Sequence, residues 1–236
     1  MNCFRDHGKL ALVLCTLLAL TSACHKAESE SSYPDHPRLT PKVVLRDVTF
    51  HSASLNRDMP YRVVMPASIP SGVKFPVVYL LHGANGSFRD WSNETDVARF
   101  AGRGLILVMP DGDESWYTNS AEHPRDRYED YITQDLLADV EARFPAATRR
   151  ESRTIMGVSM GGFGAVKLAL RHPDLYAFAG GLSSALDAAV RSQSHASASI
   201  GTIARSSDPW TAQAAATTIL SCWPVRPIPR RCPTSF

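Results

Sequence analysis

Apolar positions along this chain follow two kinds of pattern. Phe75–Leu81 and Leu105–Met109 are unbroken apolar runs of strand length, the second closed by Pro110–Asp111–Gly112. Runs of that kind predict parallel strands covered on both faces. Thr154–Met156 and Phe178–Leu182 predict two further strands. Between them the period changes: Ile132, Leu136, Val140 and Phe144 recur at every fourth position, with Asp135, Asp139 and Glu141 turned to another side. That predicts an amphipathic helix over Tyr131–Phe144. Trp91–Phe100 is the expected crossover helix, and a helix from about Gly162 to Arg171 is expected to bury Phe163, Val166 and Leu170 before Pro173 stops it. Upstream, Val43–Phe50 and Met59–Met65 read as strands, with polar His51–Arg57 turning between them, an antiparallel hairpin at a sheet edge. Strands alternating with helices imply an α/β fold: a mostly parallel sheet with right-handed crossovers and helices on both faces.

Composition narrows the class without deciding it. The chain has 236 residues, 44% hydrophobic and 20% charged, as expected for one ordinary globular domain. A net charge of +2, with arginines scattered rather than striped, excludes a nucleic-acid surface as the expected partner. The ends differ from the middle. Arg5 and Lys9 precede the apolar Leu10–Leu20, which is too short to span a bilayer, and Thr21–Ser22–Ala23 follow. Residues 1–24 are therefore expected to be an export signal. Cys24 is placed as the acceptor of a bacterial lipoprotein, with plain cleavage and secretion as the competing reading; the mature protein would be periplasmic, outer-membrane-anchored or secreted. Residues 25–42, with Pro34, Pro37 and Pro41, read as a flexible tether, and 43–209 as the domain. Only Cys222 and Cys232 lie downstream of Cys24, and no His/Cys spacing suggests a metal or other cofactor.

The candidate chemistry lies in Gly157–Val158–Ser159–Met160–Gly161–Gly162, where a strand signal precedes and a helix signal follows. This G-x-S-x-G pattern is that of a nucleophile elbow. Glycines permit a turn so tight that the serine is left in a strained conformation with its hydroxyl exposed above the sheet. An inert serine in a glycine-rich turn is the alternative. An acyl-transfer site also needs two donors about 3 Å from the developing oxyanion. The Met160 N–H, directly after the serine, is one. The Ala84 N–H, in the loop His82–Gly83–Ala84 after the third strand, is assigned as the other.

Several motifs in order now resemble one family: Tyr79–Gly83, Asp90–Trp91, Met109–Gly112, Ser115–Asn119, Tyr128–Tyr131 and Gly157–Gly162. The chain, from about Leu45 to Asp187, is similar to the esterase branch of the α/β-hydrolases that includes S-formylglutathione hydrolases, feruloyl and acetyl-xylan esterases, and mycolyltransferases. The resemblance implies a metal-independent serine esterase of small acyl or carbohydrate-linked esters, with a Ser–acid–His triad whose base comes from near the C-terminus. His82 is then expected to be structural. Asp111 and Asp113 are expected to form a turn and Glu129 and Asp130 to start a helix. Trp116 and Tyr117 either line an acyl pocket or pack under a loop.

The triad does not close in this sequence. After Ser159 only His172 and His195 remain. His172 falls at the far end of the helix that Ser159 opens, roughly 20 Å away. His195 lies in a Ser/Ala-rich run with no strand signal before it. Residues 210–236 are dense in Pro and Arg and cannot supply central strands. The expectation is a hydrolase domain incomplete at its C-terminal end, its reading frame shifted or truncated after Asp208–Pro209, with weak or no turnover. A catalytically silent scaffold or binding protein is the second reading.

Overall fold

The computed structural model describes residues 34–187. Strands β1 (Val43–Ser52) and β2 (Arg57–Pro66) form the expected hairpin, turned at Asn56 with φ 49°. β3 (Val77–Leu81), β4 (Ile106–Pro110), β5 (Arg153–Val158) and β6 (Phe178–Leu182) complete one six-stranded sheet in the order β1-β2-β4-β3-β5-β6. The pairs β1–β2 and β2–β4 are antiparallel, while β4–β3, β3–β5 and β5–β6 are parallel. The sheet is thus mostly parallel, with β4 and β3 at its centre and β5 between β3 and β6.

The unbroken apolar runs are explained by the two faces they serve. Val77, Tyr79, Leu81, Ile106 and Val108 pack into one core, while Leu80, Leu107 and Met109 pack into a second on the other face. The second face also buries Arg62 completely, where Asp35, Asp47 and Ser92 accept hydrogen bonds from its guanidinium at 2.7–2.9 Å. A buried cation is tolerable only when paired and hydrogen-bonded in this way. The Asp35 contact, with the Arg38 N–H donating to Ser92 O at 2.8 Å, seats residues 35–38 on the domain. The stretch expected to be a flexible tether through residue 42 is therefore held against the domain at its C-terminal end.

Three helical expectations change. The crossover helix divides into α1 (Asp90–Glu94) and α2 (Ala98–Ala101). The Thr95 hydroxyl donates to the Trp91 carbonyl and accepts the Val97 N–H, which ends one helix and begins the next. The amphipathic helix starts earlier, as α3 (Tyr128–Asp130), passes through a π-helical turn (Tyr131–Asp135) and continues as α4 (Leu136–Arg143). Its polar positions are not merely solvated. Asp135 accepts from Ser52 Oγ at 2.5 Å, Asp139 from the Tyr61 hydroxyl at 2.6 Å, and Glu141 pairs with Arg153. Finally, α5 runs Met160–Arg171, two residues longer at its start. On it Phe163, Ala165 and Leu168 are buried, Val166 is half-buried and Leu170 is 40% exposed.

Candidate active site

Strand β5 ends and α5 begins at Ser159, whose backbone stands at φ 53°, ψ −115°. A non-glycine residue in that region carries strain and persists only when its surroundings enforce it. The enforcement is steric. A methyl on Gly157 would lie 2.2 Å from the Gly161 carbonyl, and one on Gly161 would lie 2.3 Å from Leu81 O and 2.4 Å from His82 O. The main chain of the serine is tied down as well: its N–H donates to Leu182 O at 2.9 Å and its carbonyl accepts the Phe163 N–H at 3.0 Å. Ser159 itself is half-buried.

Met160 is the first residue of the twelve-residue α5 and is fully buried. The N–H of a helix's first residue has no intrahelical acceptor, and the helix dipole makes that end favourable to negative charge. Ala84 is exposed in the loop after β3. That loop runs beside the elbow, since a methyl on Gly83 would stand 3.5 Å from Ser159 Cβ, an ordinary contact. The nucleophile candidate and the loop carrying the second donor candidate are therefore neighbours.

His82 is 1% exposed. The Gly112 N–H donates to its Nε2 at 2.8 Å, so the ring proton resides on Nδ1, which donates to Gly83 O at 2.8 Å. Asp111 Oδ1 lies 3.9 Å from Nε2, beyond hydrogen-bond reach. Both ring nitrogens are spent on main chain, as a structural histidine requires. His172 is likewise engaged, its Nε2 2.8 Å from Glu129 Oε1. His195, with Cys24, Cys222, Cys232 and the tail 210–236, lies outside the described residues.

Other sequence expectations resolve locally. Asp111 accepts the Asp113 N–H at 3.1 Å as a turn former, and Asp113 also pairs with Arg57 and Tyr128. Asn119, rather than a helix residue, caps α3 by accepting the Glu129 N–H at 3.1 Å. Glu129 is 3% exposed, more than a helix-starting carboxylate needs, and receives Lys167 Nζ, Arg171 Nε and His172 Nε2 at 3.2, 2.7 and 2.8 Å. Burial raises its carboxyl pKa, but the Lys167 and Arg171 charges, with the hydrogen bonds from Arg171 and His172, outweigh burial and hold it at about 2. Lys167 donates to Tyr117 O at 2.8 Å too. The sequence signal for this knot was a lysine at a position otherwise apolar, Ala165–Leu168, on a helix facing the sheet. Trp116 and Tyr117 are packed, at 5% and 0% exposed, with Trp116 edge-on to Phe163. A cleft of about 240 Å³ opens nearby, between Asp113–Glu114 and His123–Asp126; Ser159 does not line it.

A mostly parallel sheet with a strained serine at a glycine-walled strand-to-helix turn defines an α/β-hydrolase fold. The chain belongs to the family described as "Putative esterase", which matches residues 52–223, beyond the Pro209 expected to close the domain. It is 34% identical over 132 residues to an esterase of Mycobacterium tuberculosis, covering 52% of this chain and 28% of that protein. To the S-formylglutathione hydrolase of Mus musculus it is 31% identical over 155 residues, 56% of this chain and 54% of that one. The chain thus spans little more than half, or less, of these relatives' lengths. Among solved structures, the fluorophosphonate-binding serine hydrolase F of Staphylococcus aureus superposes with a TM-score of 0.58 at 28% identity, covering 64% of this chain and 60% of that one.

Proposed function

We propose that the chain is an exported serine carboxylic-ester hydrolase of small acyl or carbohydrate-linked esters. Ser159 Oγ would attack the acyl carbon and lose its proton to a base. The carbonyl electron pair moves onto oxygen, where the Met160 and Ala84 N–H groups receive it; collapse expels the alcohol and leaves an acyl-enzyme for water. The observation that carries this reading is the φ 53°, ψ −115° conformation of Ser159 between Gly157 and Gly161. Family membership and the serine hydrolase neighbour support it. Export by residues 1–24, with acylation at Cys24, belongs to the same proposal, and the mass of the mature protein from a bacterial host tests it.

The base is where the second reading enters. His82 and His172 are both committed elsewhere and His195 has no strand signal before it, so this chain is proposed to turn over weakly or not at all, with a catalytically silent hydrolase scaffold or binding protein as the second reading and a frame shift after Asp208–Pro209 as the proposed cause. Translating the other frames downstream of that point should uncover an acid and a Gly-His segment; finding neither removes the frameshift idea.

The deciding experiment labels the full chain with a fluorophosphonate and follows p-nitrophenyl acetate hydrolysis. An active esterase incorporates one label, lost in Ser159→Ala, and turnover falls with it. A silent scaffold shows neither label nor turnover.

A further inference from the structure

The Ala84 N–H shares a peptide plane with the Gly83 carbonyl. That peptide bond is trans, as are all those among the described residues, so the N–H points away from that oxygen, and whatever aims the carbonyl aims the amide. His82 Nδ1 and the Gly86 N–H, at 2.8 and 3.1 Å, both donate to Gly83 O. The direction of the amide therefore depends on where the His82 ring stands.

That ring is held by Tyr117. The tyrosine hydroxyl donates to His82 O at 3.1 Å, and the two rings meet edge to face with centroids 5.9 Å apart. Tyr117 is itself fixed on every side. A methyl on Gly112 would lie 2.3 Å from its ring and one on Gly164 would lie 2.6 Å from it, and Lys167 binds its carbonyl at 2.8 Å. Trp116 and Tyr117 stand at φ 55° and 56°, consecutive left-handed residues of the sort that only an over-determined site retains. The tyrosine thus joins three parts of the fold: the loop after β3, the loop after β4, and the helix opened by Ser159.

We propose that Tyr117 is a positioning residue: through the His82 carbonyl and ring it aims the Ala84 amide at the space in front of Ser159. This rests on the esterase reading above, in which Ala84 is an oxyanion donor. Tyr117 itself touches no reacting atom.

The test compares the full chain with Tyr117→Phe and with Tyr79→Phe, whose buried hydroxyl has no hydrogen-bond partner. Three quantities are followed: amide hydrogen exchange, the rate of fluorophosphonate labelling at Ser159, and the melting profile. Tyr117→Phe should speed exchange over 82–86 by about fivefold to tenfold, leave 153–163 unchanged, and slow labelling by a similar factor. If an ester is turned over, kcat should fall with KM held within about twofold. Tyr79→Phe should change neither exchange nor labelling. Unchanged exchange at 82–86, or faster exchange with unchanged labelling of a reactive chain, overturns the proposal. So does equal slowing in Tyr79→Phe, or loss of a cooperative melt in Tyr117→Phe. A wild-type chain that takes no label sinks the esterase reading alone; exchange at 82–86 then decides by itself whether Tyr117 holds that segment.

Discussion

Strands β3 and β6 flank β5 on its two sides and are opposites. In β3, Val77, Tyr79, Leu80 and Leu81 are all buried, and the loop it delivers is knotted by His82 to Gly83, Gly112 and Tyr117. In β6, Phe178 is 57% and Leu182 44% exposed, with Gly180 and Gly181 between them. Yet β6 is not detached from the serine turn, because Leu182 O accepts the Ser159 N–H and the Ala185 N–H reaches Ser159 O at 3.4 Å. The difference is instructive. On the β3 side the serine turn meets a loop whose main chain and histidine are pinned by hydrogen bonds, whereas on the β6 side the hydrogen bonds to Ser159 reach only its main chain. In this fold the acid and histidine follow the serine in sequence, beyond that sparsely covered strand.

The most damaging way to probe the β3 side is Gly161→Ala. Its methyl would press on two main-chain carbonyl oxygens, at 2.3 and 2.4 Å, one at the end of β3 and one at the start of the loop after it. Overpacking against backbone should cost about 3 kcal/mol or more, read by denaturant melts. Gly83→Ala is the matched control on the same seam. Its nearest neighbours would stand at 3.5 Å, and its cost should stay within about 1 kcal/mol. Equal costs would mean that β3 and β5 are not wedged together as described.

This seam was legible from sequence because its cause is local. Glycine spacing and strand-like flanks require no knowledge of distant partners, so Ser159 and Met160 could be named, and the unbroken runs placed β3 and β4 within a residue or two. What stayed illegible was polar and long-range. Nothing in the sequence pairs Asp135 with Ser52, or Lys167 with both Tyr117 and Glu129; those contacts exist only once the helices dock. The split of the crossover helix at Thr95 turned on one hydroxyl competing for main chain. Leu170 shares a stripe with Phe163 and Val166, but it lies in the last turn of α5, where it is 40% exposed.

The Glu129 knot gives an intermediate effect and a pH signature. Glu129→Gln removes the carboxylate that Lys167, Arg171 and His172 share and should cost about 3 kcal/mol, as breaking a buried pair does. Because the folded carboxyl is held at about 2, below its ordinary 4.5, its contribution is complete above pH 4.5 and fades as pH falls towards 2. Wild type and Glu129→Gln should therefore differ most near neutrality and converge near pH 2. A gap that persists undiminished at pH 2 would separate the knot's packing from its charge.

The smallest expected effect lies on β6. At 57% exposure, Phe178 has little area to lose, so Phe178→Ser should change stability by no more than about 0.5 kcal/mol and leave the Gly161→Ala and Glu129→Gln costs additive with it. A loss of 2 kcal/mol or more would place Phe178 among residues deleted from a packed core. The contrast between the two flanks of β5 would then disappear. Solubility sharpens the same point: an exposed phenylalanine on the strand that is outermost among the described residues favours edge-to-edge association, so Phe178→Ser should raise the concentration at which the chain aggregates even where its melt is unmoved.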